Sequence, residues 1–167
     1  MSDDTVYRAG ILTVSDRGAS GDRLDESGEA ARELLEEAGF PVAYMEIVPD
    51  DPERIQAVLR QWADQDGIAL IVTSGGTGLS PRDVTPQATR DVLDYEVPGM
   101  AEAMRATSLA KTPHAMLSRA LAGVRGTSLI LNLPGSPRAV RENLATVLPA
   151  LRHGLDKLAG DPSDCAT

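Results

Sequence analysis

The sequence predicts an α/β fold: a single three-layer α/β/α domain with a mostly parallel central sheet. Apolar, β-branched runs of strand length alternate with segments whose apolar residues repeat at helical spacing. The runs at residues 7–15 and 68–72 are largely apolar throughout, which is typical of parallel strands buried on both faces. No internal repeat and no linker divides the 167 residues, a length that suits one domain.

The first half of the chain predicts two strand–helix pairs. A strand over residues 7–15 is followed by a helix over residues 27–38, which ends at Gly39. A second strand over residues 42–48 precedes a helix that ends near residue 64. Asp51 fits the N-cap of this helix and Pro52 its first turn, where proline is favoured. The buried face of that helix is predicted to consist of Ile55, Val58, Leu59 and Trp62.

The second half predicts, in order, a strand over residues 68–72, helices over 85–93, 98–109 and 113–122, and strands over 124–126 and 128–133. Ser136 and Pro137 fit the N-cap and first position of a last helix. That helix ends near residue 158, and Pro149 is expected to interrupt or kink it. The domain is predicted to span residues 7–158, with a flexible N-terminus over 1–6 and a disordered tail over 159–167.

Composition excludes several classes of partner. The net charge is −9 and aromatic residues make up 3% of the chain, so neither a basic nucleic-acid surface nor a base-stacking platform is expected. No apolar run is long enough to span a membrane, and the acidic N-terminus is unlike a signal peptide. The single cysteine, Cys165, rules out a disulfide within the chain, so we expect a cytoplasmic location.

The charge is distributed unevenly along the chain. Residues 1–98 hold 8 Lys and Arg against 20 Asp and Glu, whereas residues 99–157 hold 8 against 3. The basic second half could meet an anionic ligand, or it could consist of ordinary solvated helix faces.

A glycine-rich turn follows the strand at residues 68–72. Thr73 and Ser74 lead into Gly75-Gly76-Thr77-Gly78, a turn type that can hold an anion through backbone N–H groups. No Lys-Ser/Thr pair follows, so the turn is not a P-loop, and Pro81 occupies the place of the last glycine of a dinucleotide fingerprint. The alternative is a tight strand–helix connection that binds nothing.

Two acidic residues, Asp50 and Asp83, each follow a strand and precede a helix. Beside a phosphate-binding turn they suit Mg²⁺, which takes one or two carboxylates together with phosphate oxygens. Both could instead be helix caps, and Asp83 could pair with Arg82 or Arg90. No zinc spacing and no nucleophile elbow accompanies them.

The carboxyl ends of parallel strands meet at one edge of a sheet, where ligands bind. We therefore expect the polar segments that follow four strands to come together there: residues 15–16, 50–51, 73–83 and 132–136.

Six blocks of sequence carry a family resemblance: ILTVSDR (11–17), VPDD (48–51), TSGGTGLSPRDVTPQAT (73–89), PGMAEAMR (98–105), TPHAMLSRALAGVRG (112–126) and LILNLPGSP (129–137). Together they resemble the molybdopterin adenylyltransferase family, including the corresponding domain of gephyrin, over residues 7–158. The resemblance implies transfer of AMP from Mg-ATP to the terminal phosphate of molybdopterin, with Mg²⁺ as cofactor and ATP as co-substrate. It also implies a homotrimer and a separate molybdenum-insertion protein as a possible partner.

The same resemblance implies roles for individual residues. Asp50 and Asp83 match the acids linked to Mg²⁺ and catalysis. Substrate binding is carried over to three groups of matching positions: the turn Thr73, Ser74, Gly75, Gly76, Thr77 and Gly78; the pterin-side residues Ser15, Ser108 and Asn132; and the second loop Pro134, Gly135 and Ser136. Asp16 lies in a matching motif.

Two other functions remain open from the sequence. One is a non-catalytic module of the same fold that binds molybdopterin or serves as a scaffold. The other is a different phosphoryl-transfer enzyme on the same architecture, because one fold hosts many functions. The intact pair of acids, Asp50 and Asp83, favours an adenylyltransferase.

Overall fold

The structure is a computed structural model and describes residues 5–165. Its strands are β1 (Ala9–Val14), β2 (Val42–Val48), β3 (Leu70–Ser74), β4 (Tyr95–Glu96), β5 (Ala122–Arg125) and β6 (Ser128–Leu133). Its helices are α1 (Asp16–Ala19), α2 (Glu26–Glu37), α3 (Pro52–Asp64), α4 (Thr85–Arg90), α5 (Pro98–Leu109) and α6 (Pro137–Leu158), with a 3₁₀ helix at Pro113–Leu117.

One six-stranded sheet runs through the domain in the order β2-β1-β3-β6-β5-β4. The four strands β2, β1, β3 and β6 are parallel, whereas β5 and β4 are added antiparallel at one side. The prediction of a mostly parallel sheet is confirmed. The carboxyl ends of the parallel strands consequently lie along a common edge.

Helices cover both faces of this sheet, so the predicted three layers are confirmed. Successive strand residues point to opposite faces. In β1, Ile11 packs into the core with α2, α5 and α6, whereas Leu12 packs into the core with α3 and α4. On the second face, Ile55, Leu59 and Trp62 of α3 are buried, as the periodicity predicts.

Helix starts follow the predicted caps closely. The Asp51 carboxylate accepts a hydrogen bond from Glu53 N at 2.9 Å, and Pro52 opens α3. Ser136 Oγ accepts from Ala139 N at 3.1 Å in the same way at the start of α6.

The predicted helix over residues 113–122 is wrong. The 3₁₀ helix ends at Leu117, and Ala122 already belongs to β5, which ends before Gly126. Pro113 fits a first helical turn, but Ala122 pairs with Leu131 in the sheet, and this long-range pairing overrides local propensity.

Three further features differ from the expectations. The short helix α1 and the two-residue strand β4 are not predicted, because neither is long enough to show a period. Pro149 does not interrupt α6, which is one continuous helix of 22 residues. Buried Val147 and Leu151 pack that helix into the core on both sides of the proline.

The predictions for the chain ends fall partly outside the described residues, since residues 1–4 and 166–167 are not described. Within the described part, Thr5 O accepts from Arg152 Nη1 at 3.1 Å, and Lys157 Nζ donates to Ser163 O. Flexibility over 1–6 and disorder over 159–167 stay predictions. Across residues 5–165, no helix has both the length and the apolar character needed to cross a membrane.

Candidate functional site

Four loops meet at the carboxyl edge of the parallel strands, as the sequence predicts. Ser15 N donates to Val48 O at 2.9 Å, which joins the loops after β1 and β2. Gly75 N donates to Leu133 O at 3.1 Å, which joins the loops after β3 and β6. These backbone bonds continue the ladders of the sheet past the strand ends, so the loops are held close together.

A cavity of about 500 Å³ opens at this edge. Eight of the predicted site residues line it: Ser15, Asp50, Ser74, Gly75, Gly76, Asp83, Gly135 and Ser136. Ser74 is the last residue of β3, and the others come from the loops that follow β1, β2, β3 and β6. The sequence therefore brings together, from four distant segments, a surface that contains carboxylates, hydroxyls and glycine backbone.

Asp50 and Asp16 hold each other by reciprocal hydrogen bonds. Asp16 N donates to Asp50 Oδ2, and Asp50 N donates to Asp16 Oδ1, both at 3.0 Å. Arg82 then forms a fork on Asp16, with its Nε and Nη2 at 3.1 and 2.9 Å from Asp16 Oδ2. The bond from Asp50 N, with that guanidinium, lowers the pKa of Asp16.

The electrostatic environment of Asp50 is the opposite of that of Asp16. Partial burial raises the pKa of the Asp50 carboxyl, and the negative charges of Asp16 and Asp83 raise it further. The bond from Asp16 N and the charge of Arg82 oppose this shift without cancelling it. Asp50 Oδ1 accepts no hydrogen bond from residues 5–165. A cation beside this oxygen would relieve the crowding of like charges.

Two glycines of the turn after β3 are required by space and by backbone conformation. Gly75 and Gly76 have φ of 95° and 68°, the left-handed region that side chains rarely adopt. A Cβ on Gly75 would lie 2.4 Å from Val14 O, and one on Gly76 would lie 2.3 Å from Thr85 Oγ1. Both contacts are too short for a carbon atom, so the turn can follow this path only with glycine.

This turn also leaves polar groups without partners. The backbone N–H groups of Gly76 and Thr77 donate to no other group within residues 5–165. The hydroxyls of Ser74 and Thr85 are buried and likewise unpaired within that range. An unpaired buried hydroxyl costs about 1–3 kcal/mol. Ser74 borders the cavity and Thr85 lies against Gly76, so a polar ligand at the turn could satisfy them.

The residues present fit a magnesium–nucleotide better than a free ion. Within residues 5–165, no three His, Cys, Asp or Glu side chains converge to hold a metal by themselves. Asp50 and Asp83 do border one cavity, and the charge of Asp83 contributes to the raised pKa of Asp50. Since Mg²⁺ takes one or two carboxylates and completes its shell with phosphate oxygens, a phosphorylated ligand would supply what the chain lacks.

Two predicted binding residues, Thr73 and Asn132, lie in the core instead of the cavity. Asn132 Nδ2 donates to Thr73 Oγ1 at 2.9 Å and to Thr89 Oγ1 at 3.0 Å, and its Oδ1 accepts from Leu121 N at 3.3 Å. The side chains of Asn132, Thr73 and Thr89 are fully buried. This network holds β3, β6 and α4 together beneath the turn.

Ser108 and Pro134 line a second, smaller cavity of about 230 Å³. Ser108 Oγ there accepts from Asn143 Nδ2 at 3.2 Å. Pro134 precedes Gly135, which borders the larger cavity, so the two cavities flank one turn. The predicted pterin-side group is therefore divided. Ser15 lines the larger cavity, Ser108 lines the smaller cavity, and Asn132 lies in the core.

Thr77 and Gly78 contribute through their backbone. Their carbonyl oxygens accept hydrogen bonds from Arg119 N at 2.9 Å and Arg119 Nε at 2.8 Å. Neither residue borders the larger cavity.

The wall formed by the start of α2 is missed by the sequence prediction. Asp25 caps α2, accepting from Gly28 N at 2.9 Å, and its carboxylate also accepts from Thr13 Oγ1. Ser27 Oγ donates to Gly135 O at 2.8 Å, which ties this wall to the loop after β6. Asp25, an acidic residue just before a helical stripe of apolar residues, could have been recognised from the sequence as a helix cap. The hydrogen bond between residues 27 and 135 joins distant segments, so no local pattern indicates it.

Comparison with known proteins gives consistent findings. A family model described as a probable molybdopterin binding domain matches residues 10–153. The molybdopterin adenylyltransferase of Helicobacter pylori is 44% identical over 91% of this chain and 88% of that protein. Gephyrin of Dictyostelium discoideum is 42% identical over 92% of this chain, which spans only 23% of gephyrin. The crystal structure of the molybdopterin biosynthesis enzyme MoaB from Thermus thermophilus is 57% identical, with a TM-score of 0.89, over 95% of this chain and 100% of that chain.

Proposed function

This chain belongs to the family of probable molybdopterin binding domains, and on that premise we propose that it is a molybdopterin adenylyltransferase. The reaction transfers AMP from ATP to the terminal phosphate of molybdopterin. A phosphate oxygen of molybdopterin forms a bond to the α-phosphorus of ATP, the bond from that phosphorus to the bridging oxygen breaks, and pyrophosphate leaves.

One observation carries this proposal. Two carboxylates, Asp50 and Asp83, and the glycine turn Gly75-Gly76 border the same cavity of about 500 Å³. Carboxylates for a magnesium–nucleotide and amide donors for phosphate oxygens are what a nucleotidyl transfer requires at one place.

The chain's own groups would act by positioning and by neutralising charge. The attacking phosphate oxygen is already anionic, so no strong general base is needed. Gly76 and Ser74 both border the cavity, and the unpaired N–H group of Gly76 and the hydroxyl of Ser74 would donate to phosphate oxygens there. Asp50, fixed by the backbone N–H of Asp16, keeps its free Oδ1 available beside Gly76.

Asp50 and Asp83 are the residues that would hold Mg²⁺. When bound with ATP, this ion offsets the negative charge that accumulates on the phosphate oxygens during transfer. The raised pKa of Asp50 supports the assignment, since crowded carboxylates at the edge of a cavity favour a bound cation.

The experiment is a pyrophosphate-release assay with ATP, Mg²⁺ and molybdopterin. We expect release from the wild type only when both substrates are present, and a loss of roughly 10²–10³-fold in Asp83→Asn. Asp50→Asn should still bind molybdopterin but lose turnover. The matched control is Asp51→Asn, because Asp51 neighbours Asp50 but caps α3, a role that asparagine fills equally well.

The same assay separates the proposal from a binding module. Tight molybdopterin binding by the wild type without any release of pyrophosphate would replace the enzyme with a non-catalytic module. Equal rates for the wild type and Asp83→Asn would remove Asp83 from the mechanism.

We further propose that the chain forms a homotrimer in the cytoplasm and hands its product to a separate molybdenum-insertion protein. Exposed apolar side chains at the end of α5 and in the 3₁₀ helix support a contact between copies. Leu109, Met116 and Leu117 are 43%, 65% and 47% exposed. The 3₁₀ helix packs against α5, and apolar side chains exposed on adjoining elements can mark a protein interface.

A further inference from the structure

Arg119 holds the loop that carries Asp83. It lies between the 3₁₀ helix and β5, outside the 500 Å³ cavity. Its Nε donates to Gly78 O at 2.8 Å and its Nη2 donates to Asp83 O at 2.7 Å. Its backbone N donates to Thr77 O at 2.9 Å. One residue thus bonds both ends of the segment 77–83.

This segment has few other attachments. Its internal bonds all lie within residues 80–83. Asp83 N donates to Ser80 O and Ser80 N donates to Asp83 Oδ2, both at 2.9 Å, and Arg82 N donates to Ser80 Oγ at 3.3 Å. Among residues 5–165, the bonds from 77–83 to the rest of the chain are those of Arg119 and the Arg82–Asp16 ion pair. The side chains of that pair are 64% and 45% exposed, so the pair contributes little.

The chemistry of arginine suits this task. The planar guanidinium is always charged and presents its donors in a fixed fork, so it can bond two carbonyl groups at once. Hydrogen bonds from a charged donor are shorter and stronger than bonds between neutral groups. Arg119 is partly buried, which shields its bonds from water. A lysine carries its donors on a single nitrogen, so it cannot reproduce the two separate donor positions, Nε and Nη2, that reach Gly78 O and Asp83 O.

We propose that Arg119 is a positioning residue for the reaction: it fixes the carboxylate of Asp83 at the cavity by clamping the backbone on both sides of residues 79–82. Arg119 itself does not touch substrate. This inference rests on the role proposed for Asp83. A displacement of about 1 Å at a reacting group can lower turnover by roughly 10²-fold, so a clamp outside the cavity can control the rate.

The test compares Arg119→Lys with Arg125→Lys. Arg125 is the matched control because it also donates to a backbone carbonyl, Val92 O at 2.8 Å, and pairs with Asp64. Neither Val92 nor Asp64 borders the cavity. In Arg119→Lys we expect kcat for pyrophosphate release to fall roughly 10²-fold. We expect KM for molybdopterin to change by less than about threefold, since the glycine turn keeps its own anchors.

A second measurement does not depend on activity. Amide hydrogen exchange at Ser80 and Asp83 should become about tenfold faster in Arg119→Lys and stay unchanged in Arg125→Lys. If the wild type releases no pyrophosphate, the proposed function fails, but this exchange comparison still supports or overturns the clamp. Should Arg119→Lys not fold, Arg119→Gln, which can donate to one carbonyl, replaces it with the same measurements.

Two results would overturn the clamp. One is unchanged exchange at Ser80 and Asp83 in Arg119→Lys. The other is equal losses of kcat in Arg119→Lys and Arg125→Lys, with equal falls in Tm, which would show only a general effect on stability.

Discussion

Asp50 lies partly buried beside two other carboxylates, and its ionised form is disfavoured by this environment. Burial is the first cause of its raised pKa, followed among the raising effects by the charges of Asp16 and Asp83. A carboxyl group with a raised pKa lowers the free energy of unfolding at neutral pH, and the role at the cavity accounts for its presence here. Functional sites commonly hold such conflicts between stability and activity.

Asp50→Asn should therefore raise Tm at neutral pH while turnover falls by about 10²-fold or more. The folded-state pKa of Asp50 is raised, so the wild type loses stability as pH increases from the ordinary aspartate value of 3.8 through the raised pKa. The gain in stability of Asp50→Asn over the wild type should be complete at pH values above the raised pKa and should vanish at pH values below 3.8. Thermal unfolding of both proteins between pH 3 and pH 8 measures this; a variant less stable than the wild type at pH 7 would contradict it.

Gly76 is constrained by both its φ of 68° and its closeness to Thr85. Gly76→Ala should lower the free energy of unfolding by about 1–3 kcal/mol and reduce turnover, because the turn must move to admit a Cβ. Gly99→Ala is the control, since no atom lies within 4 Å of a Cβ added there. Chemical denaturation of both variants checks this, and equal stabilities would show that the turn is not constrained.

At the level of elements, local signals predict where helices begin. Asp51-Pro52 and Ser136-Pro137 place the starts of α3 and α6, since both caps act within a few residues. Long apolar runs likewise predict β1 and β3. These features depend on the chain's own neighbouring residues, so a single sequence carries them.

The elements that sequence analysis misses depend on distant partners. The strand β4 exists because Tyr95 and Glu96 pair with Val124 and Gly123 of β5. The helix predicted over residues 113–122 is wrong for the same reason, because Ala122 pairs with Leu131. A pattern along one segment does not reveal such pairings.

Pro149 gives a prediction at this level. It lies exposed within α6, where it removes one helical hydrogen bond. Pro149→Ala should raise the free energy of unfolding by about 1–3 kcal/mol, partly offset by the greater freedom of the unfolded chain. Pro137→Ala is the matched control, because Pro137 opens the same helix and its missing N–H has no helical partner to lose. A fall in stability for Pro149→Ala would show that the proline is accommodated by strain-free packing.

At the level of the whole molecule, parallel topology brings the site together. The sequence predicts that the loops after four strands converge, because the strand ends of a parallel sheet share one edge. It does not predict which side chains face the cavity. Asn132 illustrates this limit: it lies near the carboxyl end of β6, in the segment expected at the edge of the sheet, yet its amide donates to Thr73 and Thr89 in the core.

The proposed homotrimer is a second property of the whole molecule. We expect light scattering with size-exclusion chromatography to give about three times the chain mass of 17.7 kDa. Met116→Asp and Leu117→Asp together should lower this mass by disrupting the exposed apolar segment. An unchanged trimer in the double variant would place the interface elsewhere, and a monomeric wild type would contradict the proposed trimer.

The central claim is that Asp50 and Asp83, which lie 33 positions apart in the sequence, act on one bound nucleotide. A double-mutant cycle on pyrophosphate release tests it most directly, using Asp50→Asn, Asp83→Asn and the double variant. When two residues act as a unit, replacing both lowers the rate little more than replacing one. The double variant should therefore be about as slow as the slower single variant. A rate reduced by the full product of the two single losses would show that the two carboxylates act independently, and the account of one shared site would be wrong.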